Sequence, residues 1–110
     1  MVTIPIATCD IFDYDTGNGF LHVEKYSNGT FRMYGALLIT ASNVGVLTVK
    51  LPFSISKWGC TVTPMYNNYP DLIAAATLTS DSIRIDLTKN GRGTPEMDNG
   101  VSLIVIGRWK

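Results

Sequence analysis

Charge is what this chain has least of. Only 16% of its 110 residues are Asp, Glu, Lys or Arg, against about a quarter in an average soluble protein, while 45% are hydrophobic. A surface so poor in charge implies that part of it is covered by something other than water. The nine basic and nine acidic residues cancel, so no global field draws the chain to nucleic acid or to an anionic membrane. Long apolar runs are missing too. LIAAATL at 72–78 and VSLIVIG at 101–107 fall well short of the ~20 residues that a spanning helix needs, so the chain reads as soluble with no membrane insertion. The opening MVTIPIATCD has no basic leader followed by an apolar stretch, and no secretory signal is visible in it. Met1 is read either as a true start or as a boundary within a longer polypeptide. Cysteine is limited to Cys9 and Cys60, with no zinc or redox spacing. Two free thiols are favoured over a bond tying the N-terminal segment to the body.

Catalytic constellations are equally scarce. The one histidine, His22, stands beside no nucleophile elbow, which argues against a triad hydrolase. Carboxylates are scattered, and nothing in their spacing pairs two of them for glycoside hydrolysis. In DYDTGNGFLHVE, Asp13, Asp15 and Glu24 fall at the first, third and last positions of a calcium-loop spacing. Gly17 then stands where a ligand is wanted and Asn18 where the turn glycine is wanted, so no metal is expected. The glycine-rich KNGRGTPEMDNG lacks the lysine-serine ending and the helix of a phosphate cradle. No cofactor and no enzymatic role are expected.

What is present is period-two patterning. FLHVEKY, then Ser-Asn-Gly, then TFRMYGALLIT reads as a hairpin, because Asn and Gly accept positive φ cheaply. Further strands are expected at 44–51, 60–66, 72–79, 82–88 and 101–109. Ile83, Ile85 and Leu87 alternate with Arg84 and Asp86, which buries one face of that strand and wets the other. LIAAATL resembles a helix in composition, yet its brevity and flanking turns favour a strand. No convincing helical period of ten or more residues occurs. The expectation is a compact all-β antiparallel sandwich of about seven strands over 20–110, preceded by a segment 1–19 made of a β-prone piece and a loop-like CDIFDYDTGNG.

Binding residues are expected on the loops SISKWG at 54–59, NNYPD at 67–71 and 89–100. Sugar recognition stacks aromatic rings on apolar sugar faces while amides and carboxylates bond the hydroxyls. Tyr66, Asn67, Asn68, Tyr69 and Asp71 supply those types together, with turn formation as the plainer reading. Trp58 reads as a core plug or an exposed platform. Arg92 reads as a clamp for an acidic group or as an ordinary solvated arginine.

Several short motifs stand in a telling order. Lys25-Tyr26-Ser27-Asn28-Gly29-Thr30 is followed by Tyr34-Gly35, by Leu-Pro-Phe-Ser-Ile at 51–55, by Cys-Thr-Val-Thr-Pro at 60–64, and finally by Gly107-Arg108-Trp109. This order, spanning about 20–110, resembles the C-terminal heads of bacteriophage tail fibres and related receptor-binding proteins. The resemblance implies a β-sandwich that forms a homotrimer at the fibre tip of the virion, binds a bacterial surface glycan or protein, and has no catalytic role. The departure is the lack of a shaft, since neither a collagen-like repeat nor heptads precede the domain, and residues 1–19 read as the remnant of a stem. The alternative is a capping or trimerisation module that touches no receptor, and a third reading is an enzyme that trims host polysaccharide.

Overall fold

The computed structural model describes residues 8–40, 45–65, 72–89 and 99–110. Within them every regular element is a strand: β1 (Cys9–Asp15), β2 (Phe20–Tyr26), β3 (Thr30–Ile39), β4 (Val46–Lys50), β5 (Lys57–Met65), β6 (Leu72–Leu78), β7 (Ser82–Lys89) and β8 (Asn99–Arg108). Every pairing is antiparallel. One sheet has five strands in the order β1-β2-β3-β8-β5 and the other has three in the order β4-β7-β6. The two face each other as a sandwich.

Alternation sets which side chains meet between the sheets. From the larger sheet come Leu21, Val23, Phe31, Met33, Leu37, Val101, Leu103 and Val105; from the smaller come Leu47, Val49, Ile83, Ile85 and Leu87, all buried. Each such side chain contributes about 1.5–3 kcal/mol on leaving water. The polar partners on β7 point out, where Arg84 pairs with Asp86 at 3.2 Å. LIAAATL is a strand, as its brevity suggests.

Two segments depart from the sequence reading. CDIFDYD is not loop but edge strand β1, paired along its length with β2 from Cys9↔Tyr26 to Asp15↔Phe20. Tyr14 ties it to the other sheet by donating to the Lys50 carbonyl at 2.7 Å. The strand count among the described residues is therefore eight rather than about seven. Trp58 also moves from a loop into β5, which starts at Lys57.

The sandwich has two distinct ends. At the turn end, Gly29 (φ +98°) closes the β2–β3 hairpin, its N–H donating to the Tyr26 carbonyl at 3.0 Å. The positive φ is the conformation that glycine adopts without a Cβ penalty. Here too Leu51 N–H reaches Asp81 O and Ile55 N–H reaches Ser80 O, both at 2.8 Å. At the opposite loop end lie the β1–β2 turn at 16–19, the end of β3, the start of β8 and the ends of β5 and β7.

Candidate functional site

Of the motif residues that carried the resemblance, Lys25–Thr30, Phe53 and Arg108-Trp109 assemble at the turn end. The Trp109 indole Nε1–H donates to the Tyr26 carbonyl and its main-chain N–H to the Gly29 carbonyl, each at 2.8 Å. Lys25 Nζ lies 4.3 Å from the Trp109 ring and 4.8 Å from the Phe53 ring. Arg108 Nη2 donates to the Asn28 main-chain oxygen at 3.2 Å. Asn28 Oδ1 accepts from the Thr30 N–H at 3.0 Å and from the Thr30 hydroxyl at 2.7 Å, fixing the turn. Gly35 serves close approach, because a Cβ there would run into the Phe20 carbonyl oxygen. These residues build the scaffold.

The outer face of the five-stranded sheet is more informative. Tyr34 and Leu38 on β3, Ile104 and Ile106 on β8, and Met65 on β5 all point away from the core, with exposures from 40% at Tyr34 to 54% at Ile106. Cross-strand register lines them up, with Tyr34↔Ile104 and Arg32↔Ile106 on one side of β8 and Ile106↔Gly59 and Met65↔Gly100 on the other. Two shallow grooves run over this face. One, of about 500 Å³, includes Tyr34, Ala36, Met65, Ser102 and Ile104 in its lining. The other, of about 480 Å³ at the turn end, includes Thr30, Lys57, Trp58, Gly59, Ile106 and Arg108. The sequence reading passed over this apolar face. Its signal was the unbroken Leu103-Ile104-Val105-Ile106, since a half-wet strand alternates with polar residues and this one does not.

On β1–β3 the same face also carries a polar cluster, set among the exposed Ile11 and Phe20. Glu24 accepts from Arg32 Nη2 at 2.6 Å and Nε at 3.1 Å, and from the Tyr26 hydroxyl at 2.8 Å. The Arg32 bonds, then the Tyr26 bond, hold the Glu24 carboxyl below the usual range. Bonding to Glu24 in turn pushes Tyr26 up to about 12. Such a tyrosine is a firm donor and a poor nucleophile. His22 Nδ1 lies 3.1 Å from Asp13 Oδ1, and its ring stands 5.0 Å from that of Tyr34. Glu24 is thus committed to Arg32, and no cluster of three or more metal-ligating side chains occurs among the described residues.

Of the residues that the sequence singled out, Trp58 is placed in β5 at 41% exposure, beside the turn-end groove. Tyr66, Asn67, Asn68, Tyr69, Asp71 and Arg92 lie outside the described residues. The strand ends flanking them, Met65 of β5, Leu72 of β6, Lys89 of β7 and Asn99 of β8, all belong to the loop end, opposite to Trp58. Cys9 and Cys60 sit on the two edge strands of the larger sheet as free thiols, and burial pushes the Cys60 thiol up.

No family model matches the chain, and no curated protein matches it. Among solved structures, an N-truncated R2-type pyocin tail fibre is similar over 97% of this chain, with a TM-score of 0.57 and 14% sequence identity. The chain has a tail-fibre-like fold. It spans 39% of the length of that structure, and at this identity the likeness is one of fold.

Proposed function

We propose that the chain is the receptor-binding head of a phage tail fibre, which sits at the fibre tip of the virion, assembles as a homotrimer and attaches to a glycan on the host bacterial surface without catalysing a reaction. The observation that carries this reading is the likeness of fold to a tail fibre over nearly the whole chain. The apolar outer face supports the oligomer. Tyr34, Leu38, Ile104 and Met65 form a contiguous half-wet patch that identical copies would cover. The loop end is the natural place for recognition, because the strand ends that flank the sequence segments 66–71 and 90–98, with their aromatics, amides and Arg92, lie there.

The test is attachment of the labelled full chain to a panel of bacterial cells and to a glycan array. Saturable attachment that is lost in Tyr66→Ala or Tyr69→Ala supports a head. Trimers that attach to no cell and no glycan support the alternative, a capping or trimerisation module of the tail. New reducing ends in polysaccharide incubated with the chain would overturn the non-catalytic reading.

A further inference from the structure

At the turn-end groove two cations face each other across neighbouring strands with no Asp or Glu side chain beside them. Register places Thr30, Arg108 and Lys57 abreast on β3, β8 and β5, with Arg108 opposite Thr30 on one side and Lys57 on the other. Facing residues of neighbouring antiparallel strands have Cβ atoms about 5 Å apart, and like charges so placed destabilise the sheet. Neither cation has an Asp or Glu side-chain partner among the described residues. Arg108 reaches only the main-chain oxygens of Asn28 and Lys110, at 3.2 and 3.3 Å. No carboxylate side chain lines the groove.

From this we infer that the groove binds the anionic group of a saccharide, phosphorylated or carboxylated. The inference rests on the receptor-binding reading above and names the ligand class and a second place for it, distinct from the loop end. An oxyanion held by Lys57 offsets the like charge that faces it across the register, and the Arg108 guanidinium, which lies by the Asn28–Gly29 turn, keeps donors for a second oxygen of a carboxylate or phosphate. The Thr30 hydroxyl adds a donor or acceptor for a sugar hydroxyl. Space for the ring exists because position 59 is glycine. A Cβ built there meets only Ile106, at 4.0 Å. The groove of about 480 Å³ has the size of a small-ligand site and far exceeds an inorganic anion. Ile106 offers an apolar wall to the C–H face of the ring. The patch assigned to subunit contact, Tyr34, Leu38, Ile104 and Met65, lies further towards the loop end, so the groove stays at its rim.

The test titrates the full chain with an oligogalacturonate, a phosphomannan fragment, a neutral dextran oligomer and inorganic phosphate, reading heat or amide shifts. The variants are Lys57→Gln and, as a control on the other sheet, Arg84→Gln. At least one anionic saccharide should bind, about tenfold more weakly to Lys57→Gln and unchanged in Arg84→Gln. Which of the two binds tells carboxylate from phosphate. Without ligand, Lys57→Gln should melt at or above the wild-type temperature, since the facing charge is gone. Dextran binding as tightly as the charged oligomers, inorganic phosphate matching them, or no binding at all would overturn the inference. Attachment of the wild-type chain to cells under those outcomes leaves the head reading standing, whereas its failure removes that reading as well.

Discussion

Replacing Trp109 by alanine should cost the fold about 3 kcal/mol, a large share of the 5–15 kcal/mol that stabilises a typical domain. Three contributions are lost. The indole N–H bond to the Tyr26 carbonyl, 2.8 Å long, is worth about 1 kcal/mol net. The Lys25 ammonium, 4.3 Å from the ring, adds about 0.5–1 kcal/mol in a partly solvated setting. The ring is partly buried against the core, so its truncation costs a fraction of the ~3–5 kcal/mol of a fully buried aromatic. Trp109→Phe separates these contributions: it keeps the ring under Lys25 and loses only the N–H bond, for about 1 kcal/mol. Urea unfolding at constant m-value measures both variants. A loss below about 0.5 kcal/mol for Trp109→Ala, the ordinary range of a surface substitution, would refute the idea that the closing Gly-Arg-Trp latches the β2–β3 hairpin. Equal losses for the two variants would place the whole effect in the N–H bond.

Other outcomes follow from the same geometry. Gly35→Ala should destabilise by about 1–3 kcal/mol, because the added methyl meets the backbone oxygen of Phe20, which cannot swing aside as a side chain would; a melt equal to wild type would contradict the close packing of β2 on β3. Glu24 is held below its unfolded value, chiefly by Arg32, so its contribution is present above the unfolded pKa of about 4.3 and is lost as pH falls through the folded one. Thermal melts taken down through that acid range should therefore fall less steeply for Glu24→Gln than for wild type. For Tyr26 the sign is opposite: with the folded pKa at about 12 against 10.0, stability is full below pH 10 and drains away towards pH 12, and Tyr26→Phe should remove that alkaline limb.

The strands that bury a face were legible because burial writes the pattern. Ile83-Arg84-Ile85-Asp86-Leu87 alternates in the sequence as it does in space, and Asn28-Gly29 marks the hairpin because the turn needs a residue that tolerates positive φ. β1 was missed for the converse reason. It is an edge strand whose side chains are mostly exposed, so CDIFDYD carries no burial pattern; only its run of Ile, Phe and Tyr before Asp-Thr-Gly could have exposed it. β5 begins at Lys57 rather than at 60, a start that Gly59 concealed because glycine is a poor strand residue, and its edge position is what tolerates Pro64. The Lys57–Arg108 juxtaposition belongs to strand register, which no local pattern records. β8 was expected at 101–109, but the strand assignment says nothing of its outer face, where Ile104 stands about half exposed within one chain. That exposed face is the physical basis on which the oligomer is proposed.

Sedimentation equilibrium on the full chain tests that claim most directly. With Leu38 and Ile104 each about half exposed, their remaining transfer energy is about 1 kcal/mol apiece per copy, or about four decades of association across three copies. The account predicts three times the chain mass at micromolar concentration, falling to one chain mass in Leu38→Ser/Ile104→Ser with folding retained. A wild-type chain that sediments alone, its outer sheet face open to water, would contradict it.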